Sequence, residues 1–157
     1  TTAALGLGIR AAGVGKQVIM VQFLKKKHSD TLDFLKKLEP ELQIFRFEKA
    51  ACGYSDLCPK EKQEQMLNIK NALGYSRKVL DTGQCDLLIL DEIFGLVDYN
   101  IITIEELMDL IAVKKDSMDL ILTGRNLPDE VREIADCVYS IQREKEKTPE
   151  ILAQGNF

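Results

Sequence analysis

Residues Asp86–Glu92 read DLLILDE, a run of four apolar residues followed by two acids. A short continuous apolar run is typical of a strand buried on both faces of a parallel sheet. Asp91 and Glu92 would then lie at the carboxyl end of the strand, where open α/β sheets bind ligands and where an acid can hold Mg²⁺ beside a nucleotide. Taken alone, the string is about equally consistent with a strand that ends in a solvated acidic turn.

Similar apolar runs recur along the chain and alternate with helical patterns. The other predicted strands are Gln17–Phe23, Leu42–Phe47, Met118–Thr123 and Cys137–Ile141. The predicted helices are Thr1–Ala12, Leu32–Leu38, the segment after Pro59, Thr103–Val113 and Pro128–Ala135. This alternation predicts an α/β fold over residues 1–157, a single domain with a mostly parallel central sheet and helices on both faces.

Two stretches lack a clear period. Glu48–Leu57 reads as a long loop of the sort that carries function, and residues 144–157 read as a mobile tail. An α/β domain seldom starts on a helix with no strand before it. We therefore expect residues upstream of Thr1 to supply a further strand and its loop.

Composition excludes several classes of protein. Lys and Arg number 21 and Asp and Glu number 25, so the formal net charge of −4 argues against nucleic acid or an anionic membrane as the main partner. The apolar runs are too short to span a bilayer. The sequence shows no signal peptide and no close cysteine–histidine pairing of the zinc type. We expect a cytoplasmic protein with reduced thiols.

Hydroxyl and basic side chains form a second group of candidates. Thr1 and Thr2 open an Ala-rich helix, and a helix N-terminus favours phosphate while a hydroxyl there can bind Mg²⁺. Arg125 follows a predicted strand and could hold a polyphosphate through paired hydrogen bonds. Each has a plainer reading, as a helix cap or a surface arginine. The lysine run Lys25–Lys27 could attract an anionic substrate, although such runs are usually solvated.

Three blocks of the sequence together resemble a known family. Thr1–Lys26, Leu87–Tyr99 and Leu120–Ile141 resemble the P-loop (CobA/BtuR) type of cob(I)alamin adenosyltransferase, the ATP:corrinoid adenosyltransferases. The resemblance implies a RecA-like P-loop NTPase fold and a homodimer. It also implies transfer of the 5′-deoxyadenosyl group from Mg-ATP to the cobalt(I) of a reduced corrinoid, with release of triphosphate.

The resemblance assigns roles to particular residues. Thr1 would contact Mg²⁺ and phosphate, and Thr2 would add a phosphate contact. Glu92 would be the main metal ligand, with Asp91 as an acid behind it. Arg125 would hold the triphosphate, so Glu92 and Arg125 are the predicted catalytic residues. The glycines and lysine of the phosphate loop would lie upstream of Thr1.

The corrinoid-facing residues are predicted from aromatic side chains near the long loop. The family places an aromatic pair with a tryptophan in this segment, whereas this chain has no Trp. Phe47 and Tyr54 are the candidates to replace it. A reductase or flavoprotein that delivers cobalt(I) is the expected protein partner.

Two other functions stay open at this stage. The Asp91–Glu92 strand end by itself would also suit another P-loop ATPase or kinase. A corrinoid-binding protein without ATP chemistry would suit a chain with no phosphate loop. The lack of a paired nucleophile and base is no objection to the transferase, because cobalt(I) is itself a strong nucleophile and the protein need only position the reactants.

Overall fold

The computed structural model of the chain describes residues 1–25, 35–47, 54 and 57–145. Its centre is an all-parallel sheet of four strands in the order β2-β1-β3-β4. The strands are β1 (Val18–Gln22), β2 (Leu42–Arg46), β3 (Leu87–Asp91) and β4 (Asp119–Leu122). Every residue of β1 and β3 is buried, as their continuous apolar runs predict. The α/β class and the parallel sheet are confirmed.

Helices cover both faces of the sheet. They are α1 (Thr2–Gly13), α2 (Pro59–Thr82), α3 (Ile93–Asp98), α4 (Ile104–Ala112) and α5 (Asp129–Ile134), with a 3-10 turn at Lys36–Leu38. Ala4 of α1 packs with Val18 and Met20 on one face. The helices α2 to α5 pack on the opposite face with Ile19 and Val21. Alternate residues of β1 therefore serve two separate cores.

Local signals in the sequence set several helix boundaries. At the start of α4 the Thr103 hydroxyl accepts from the Glu106 backbone N–H at 3.2 Å, and the Glu106 carboxylate accepts from the Thr103 N–H at 2.8 Å. This is the capping box that the sequence predicts. Gly83 ends α2 with φ 69°, a left-handed conformation that favours glycine.

The prediction of a fifth strand over Cys137–Ile141 is wrong. These residues lie outside the sheet, and Val138, Tyr139 and Ile141 are 43%, 80% and 78% exposed. An apolar segment becomes a strand only when a neighbour pairs with its backbone. Within the described residues, β4 is an edge strand that pairs with β3 alone.

The 3-10 turn between β1 and β2 lies on the same face of the sheet as α1, because Leu38 packs in the same core as Ala4.

Within the described parts of the chain, none of the helices combines the length and the apolar character that a bilayer crossing needs.

Candidate active site

The site is built around Asp91, the last residue of β3, whose side chain is fully buried. The Thr1 hydroxyl lies 2.9 Å from both carboxylate oxygens and donates to them. The Thr123 hydroxyl donates to Oδ1 at 2.7 Å, and the Gln22 side-chain amide donates to Oδ2 at 3.0 Å. Residues from the start of α1 and from the ends of β1, β3 and β4 thus meet at the carboxyl edge of the sheet.

A lysine completes the surroundings of Asp91. The Lys25 ammonium donates to Thr1 Oγ1 at 2.9 Å and lies 3.6 Å from Asp91 Oδ2. Burial raises the pKa of Asp91, but the Lys25 charge and the hydroxyls of Thr123 and Thr1 outweigh it and hold the pKa below its ordinary value. Asp91 is therefore charged at neutral pH, and protein donors already occupy both of its oxygens.

Glu92 is placed differently from its neighbour. Its backbone is left-handed with φ 62°, and its N–H donates to the Thr123 hydroxyl at 2.9 Å. Its side chain is 24% exposed, and Oε1 lies 4.0 Å from Nε of Arg125, a side chain that is 89% exposed. Glu92 therefore presents a partly open carboxylate next to an exposed arginine.

Two of the three non-glycine residues with a left-handed backbone in the described part of the chain lie just after the central strands β1 and β3. Leu24 after β1 has φ 55° and Glu92 after β3 has φ 62°, and a left-handed conformation costs such residues about 1–2 kcal/mol each. Both side chains crowd Gly95 of α3, where a Cβ would lie 2.7 Å from Leu24 Cδ1 and 3.4 Å from Glu92 Cγ. Strain of this kind is typical of functional sites, where the surrounding structure maintains it.

The Thr123 hydroxyl forms hydrogen bonds with both the Asp91 carboxylate and the Glu92 N–H. A first prediction concerns the loss of this hydroxyl. Thr123→Val should lower the free energy of unfolding by about 1–2 kcal/mol, because it removes a donor to a buried carboxylate and the acceptor for the Glu92 N–H. Urea unfolding of Thr123→Val and Thr123→Ser checks this, and the serine variant should keep most of the stability. Thr82→Val is the control, since the Thr82 hydroxyl bonds only a helix carbonyl at an exposed position. Equal stability of the Val and Ser variants would refute the role.

The other predicted site residues have different surroundings. Thr2 is the exposed first residue of α1, close to the Thr1 hydroxyl in sequence. Phe47 and Tyr54 are half-buried and pack on other rings. The Phe47 ring centroid lies 5.8 Å from that of Tyr75, and the Tyr54 centroid lies 5.4 Å from that of Tyr99. The rest of the predicted 48–57 loop, apart from Leu57, lies outside the described residues.

Three residues of the cluster were not assigned from sequence, namely Gln22, Lys25 and Thr123. All three lie at or just beyond the end of a predicted strand. Because the carboxyl ends of parallel strands share one edge of a sheet, this position was the available signal. The sequence left it open whether the lysine run attracts an anionic substrate or is merely solvated. The structure places Lys25 beside Asp91, with only 25% of its side chain exposed.

The oxygen atoms at this edge suit a hard cation. Among the described residues there is no group of three or more His, Cys, Asp or Glu side chains of the kind that cages a metal. Mg²⁺ does not require one, because it is usually held by one or two protein oxygens together with substrate phosphates and water. The Thr1 hydroxyl and the partly open Glu92 carboxylate fit that pattern.

The parallel sheet, the acid pair at the end of β3 and the hydroxyl at the start of α1 define an α/β protein of the P-loop NTPase-like kind. The family model of "ATP:corrinoid adenosyltransferase BtuR/CobO/CobP" matches residues 1–154. The chain belongs to this family, which supports corrinoid adenosyltransferase activity and makes the protein a transferase of cobalamin biosynthesis.

Curated relatives agree with the family match. The "Corrinoid adenosyltransferase" of Escherichia coli K12 is 28% identical over 142 residues, which cover 90% of this chain and 70% of the relative. The "Corrinoid adenosyltransferase CobA" of Salmonella typhimurium is 28% identical over 145 residues, with the same coverage. An uncharacterized protein of Nostoc, all2391, is 23% identical over 139 residues, 84% of this chain and 36% of that protein.

Proposed function

We propose that this protein transfers the 5′-deoxyadenosyl group of Mg-ATP to the cobalt(I) of a reduced corrinoid and releases triphosphate. One observation carries the proposal beyond family membership. The carboxyl edge of the sheet gathers a helix-start hydroxyl, two acids and two basic side chains, which are Thr1, Asp91, Glu92, Lys25 and Arg125. Oxygen donors and cations in this arrangement suit a magnesium polyphosphate.

The proposed reaction does not require acid–base catalysis by the protein. Two electrons of cobalt(I) form the cobalt–carbon bond at C5′, the C5′–O5′ bond breaks, and its electron pair leaves on the triphosphate. No proton is transferred. The protein contributes by aligning C5′ with the cobalt and by stabilising the negative charge that grows on the leaving group. A site of hydroxyl, carboxylate and cationic groups without a nucleophile is sufficient for this.

The two acids have separate roles in this proposal. Thr1 and Glu92 would hold Mg²⁺, which would neutralise phosphate charge. Asp91 would orient Thr1: it accepts a hydrogen bond from the Thr1 hydroxyl, so the lone pairs of that hydroxyl oxygen point away from the acid. Thr2 would contribute to phosphate binding at the start of α1, where the backbone N–H groups favour anions.

The direct test is a transfer assay with the full-length protein, Mg-ATP and chemically reduced corrinoid. We expect an adenosylated corrinoid and triphosphate in equal amounts, and a protein that yields neither would refute the proposal. Parallel assays with cob(I)alamin and cob(I)yrinic acid a,c-diamide identify the preferred substrate. Phosphate or ADP release without corrinoid would indicate an ATPase or kinase instead, and corrinoid binding without transfer would indicate a binding protein.

Arg125 provides a second prediction for this assay. Arg125→Ala should reduce the transfer rate roughly 10-fold or more, because an exposed guanidinium beside Glu92 can form charge-assisted bonds with the leaving triphosphate. Arg132→Ala is a matched control, since Arg132 is also exposed and lies 3.9 Å from an acid, Asp129, in α5. If the two variants had the same kinetics as the wild type, Arg125 would not belong to the site.

The remaining parts of the proposal concern the corrinoid and the protein partners. Phe47 and Tyr54 would face the corrinoid from the ends of the loop that follows β2. We also propose a cytoplasmic homodimer that receives cobalt(I) from a reductase or flavoprotein. Light scattering measures the mass of the assembly, and oxygen-free assays with and without a flavoprotein reductant test how the cobalt is reduced.

A further inference from the structure

Lys25 is held beside Thr1 and Asp91, although it belongs to the lysine run Lys25–Lys27. Its ammonium lies 2.9 Å from Thr1 Oγ1 and 3.6 Å from Asp91 Oδ2, and only 25% of its side chain is exposed. An ordinary surface lysine extends into water and loses side-chain entropy if it is held in place. Lys25 is held by two groups from different elements, so its position is fixed by the fold.

The backbone before Lys25 explains how it reaches the site. Leu24 has a left-handed conformation with φ 55° directly after β1, which redirects the chain at the edge of the sheet. The Leu24 side chain packs so closely on Gly95 that a Cβ there would lie 2.7 Å from Leu24 Cδ1. An unfavourable leucine conformation is thus maintained by a close contact with α3, and its result is that the Lys25 ammonium lies beside Asp91.

The charge of Lys25 is screened less by solvent than that of Arg125. Asp91 is buried and Lys25 is largely enclosed, whereas the Arg125 side chain is 89% exposed. Water and salt screen an exposed charge far more than an enclosed one. The ammonium of a lysine carries three N–H donors, and the contacts with Thr1 and Asp91 do not use all of them. Lys25 can therefore bind a further acceptor without leaving Thr1.

We propose that Lys25 binds the polyphosphate of the nucleotide and stabilises the negative charge on the departing triphosphate. This inference rests on the proposed function, since it names the residue that receives the leaving group of that reaction. In the adenosyl transfer, the electron pair of the broken C5′–O5′ bond remains on the triphosphate, and the Lys25 ammonium donates a hydrogen bond to a triphosphate oxygen. Lys25 donates this hydrogen bond and transfers no proton.

Calorimetric titration with inorganic triphosphate and Mg²⁺ tests the inference without corrinoid or turnover. In the full-length protein, Lys25→Gln should weaken triphosphate binding roughly 10-fold to 100-fold, because it removes a hydrogen bond between charged groups. Lys25→Arg should stay within a few-fold of the wild type. Lys16→Gln is the control, since Lys16 also pairs with an aspartate, at 3.1 Å, but with Asp119 at the opposite edge of the sheet.

The outcomes separate this inference from the proposed function. Unchanged triphosphate affinity of the Lys25→Gln protein would overturn the inference. If that protein had unchanged affinity and a lower melting temperature, the result would show that Lys25 only neutralises the charge of Asp91. If the wild type binds triphosphate through Lys25 but transfers no adenosyl group, the proposed function fails, while the binding of polyphosphate by Lys25 stands. If Lys25→Gln does not fold, amine acetylation of the wild type decides: triphosphate should protect Lys25 and not Lys16, and equal labelling would overturn the inference.

Discussion

Replacing Glu92 with glutamine should lower the rate of adenosyl transfer by ~10²-fold or more. Glu92 is the acid of the site whose oxygens are not saturated by protein donors, and it is partly exposed beside Arg125. Glutamine keeps the size of the side chain but removes its charge, so a cation and its phosphates lose a ligand. Rates measured across a magnesium titration should show a higher Mg²⁺ requirement together with a lower maximum.

The choice of glutamine keeps this test independent of folding. Glu92 has a left-handed backbone, which glutamine tolerates about as well as glutamate, and the N–H bond to Thr123 is unaffected. The melting temperature should therefore change little. Glu105→Gln is the control, because Glu105 is an exposed acid in the first turn of α4. Near-normal turnover of Glu92→Gln at saturating Mg²⁺ would exclude Glu92 as a metal ligand.

The strands were predictable because their signal is local. The apolar runs of β1 and β3 could only be buried on both faces, so strand type and parallel class followed from the residues themselves. The Cys137–Ile141 prediction failed for the complementary reason. Its residues are mostly apolar, but a strand also needs a partner, and β4 has a free edge within the described residues. The pattern of a segment indicates whether its side chains can be buried, but it does not indicate which strand pairs with its backbone.

The residues of the candidate site also differ in whether local sequence predicts them. Asp91, Glu92 and Thr1 could be predicted as site residues because short motifs point to them, an acid pair after a strand and a hydroxyl at a helix start. Lys25 and Thr123 acquire their roles only through the strand order, which places the ends of β1 and β4 on either side of Asp91. The short helix α3 was also missed, because its six residues are too few to show a helical period.

The same strand order creates a close contact on which the position of Glu92 depends. Gly124 follows β4 and lies against Phe94, the second residue of α3. A Cβ on Gly124 would be 2.4 Å from Phe94 Cβ and 2.8 Å from its Cδ2. Phe94 Cβ is attached to the main chain, so no rotamer change can relieve the overlap. An added methyl group would have to displace the start of α3, and with it the residues next to Glu92.

Gly124→Ala should therefore lower the free energy of unfolding by about 3 kcal/mol, near the upper end of the usual cost of overpacking. For a chain of this size that corresponds to a fall in Tm of roughly 2–4 °C per kcal/mol. Adenosyl transfer should fall as well, since the Phe94 N–H contacts the Thr123 carbonyl at 3.4 Å and both segments carry site residues. Urea unfolding and the transfer assay measure the two effects on the same preparation.

A second glycine, Gly74, provides a control substitution that should raise the free energy of unfolding instead of lowering it. Gly74 lies inside α2 on an exposed surface, and a Cβ there would have no heavy atom within 4 Å. Gly74→Ala should raise the stability by about 0.5–1 kcal/mol, because alanine favours the helix and no neighbour is displaced. If Gly124→Ala proved as stable and as active as the wild type, the contact between the end of β4 and α3 could not be what holds Glu92 in place. A loss confined to Gly124 would instead tie the activity to the packing of α3 against β4.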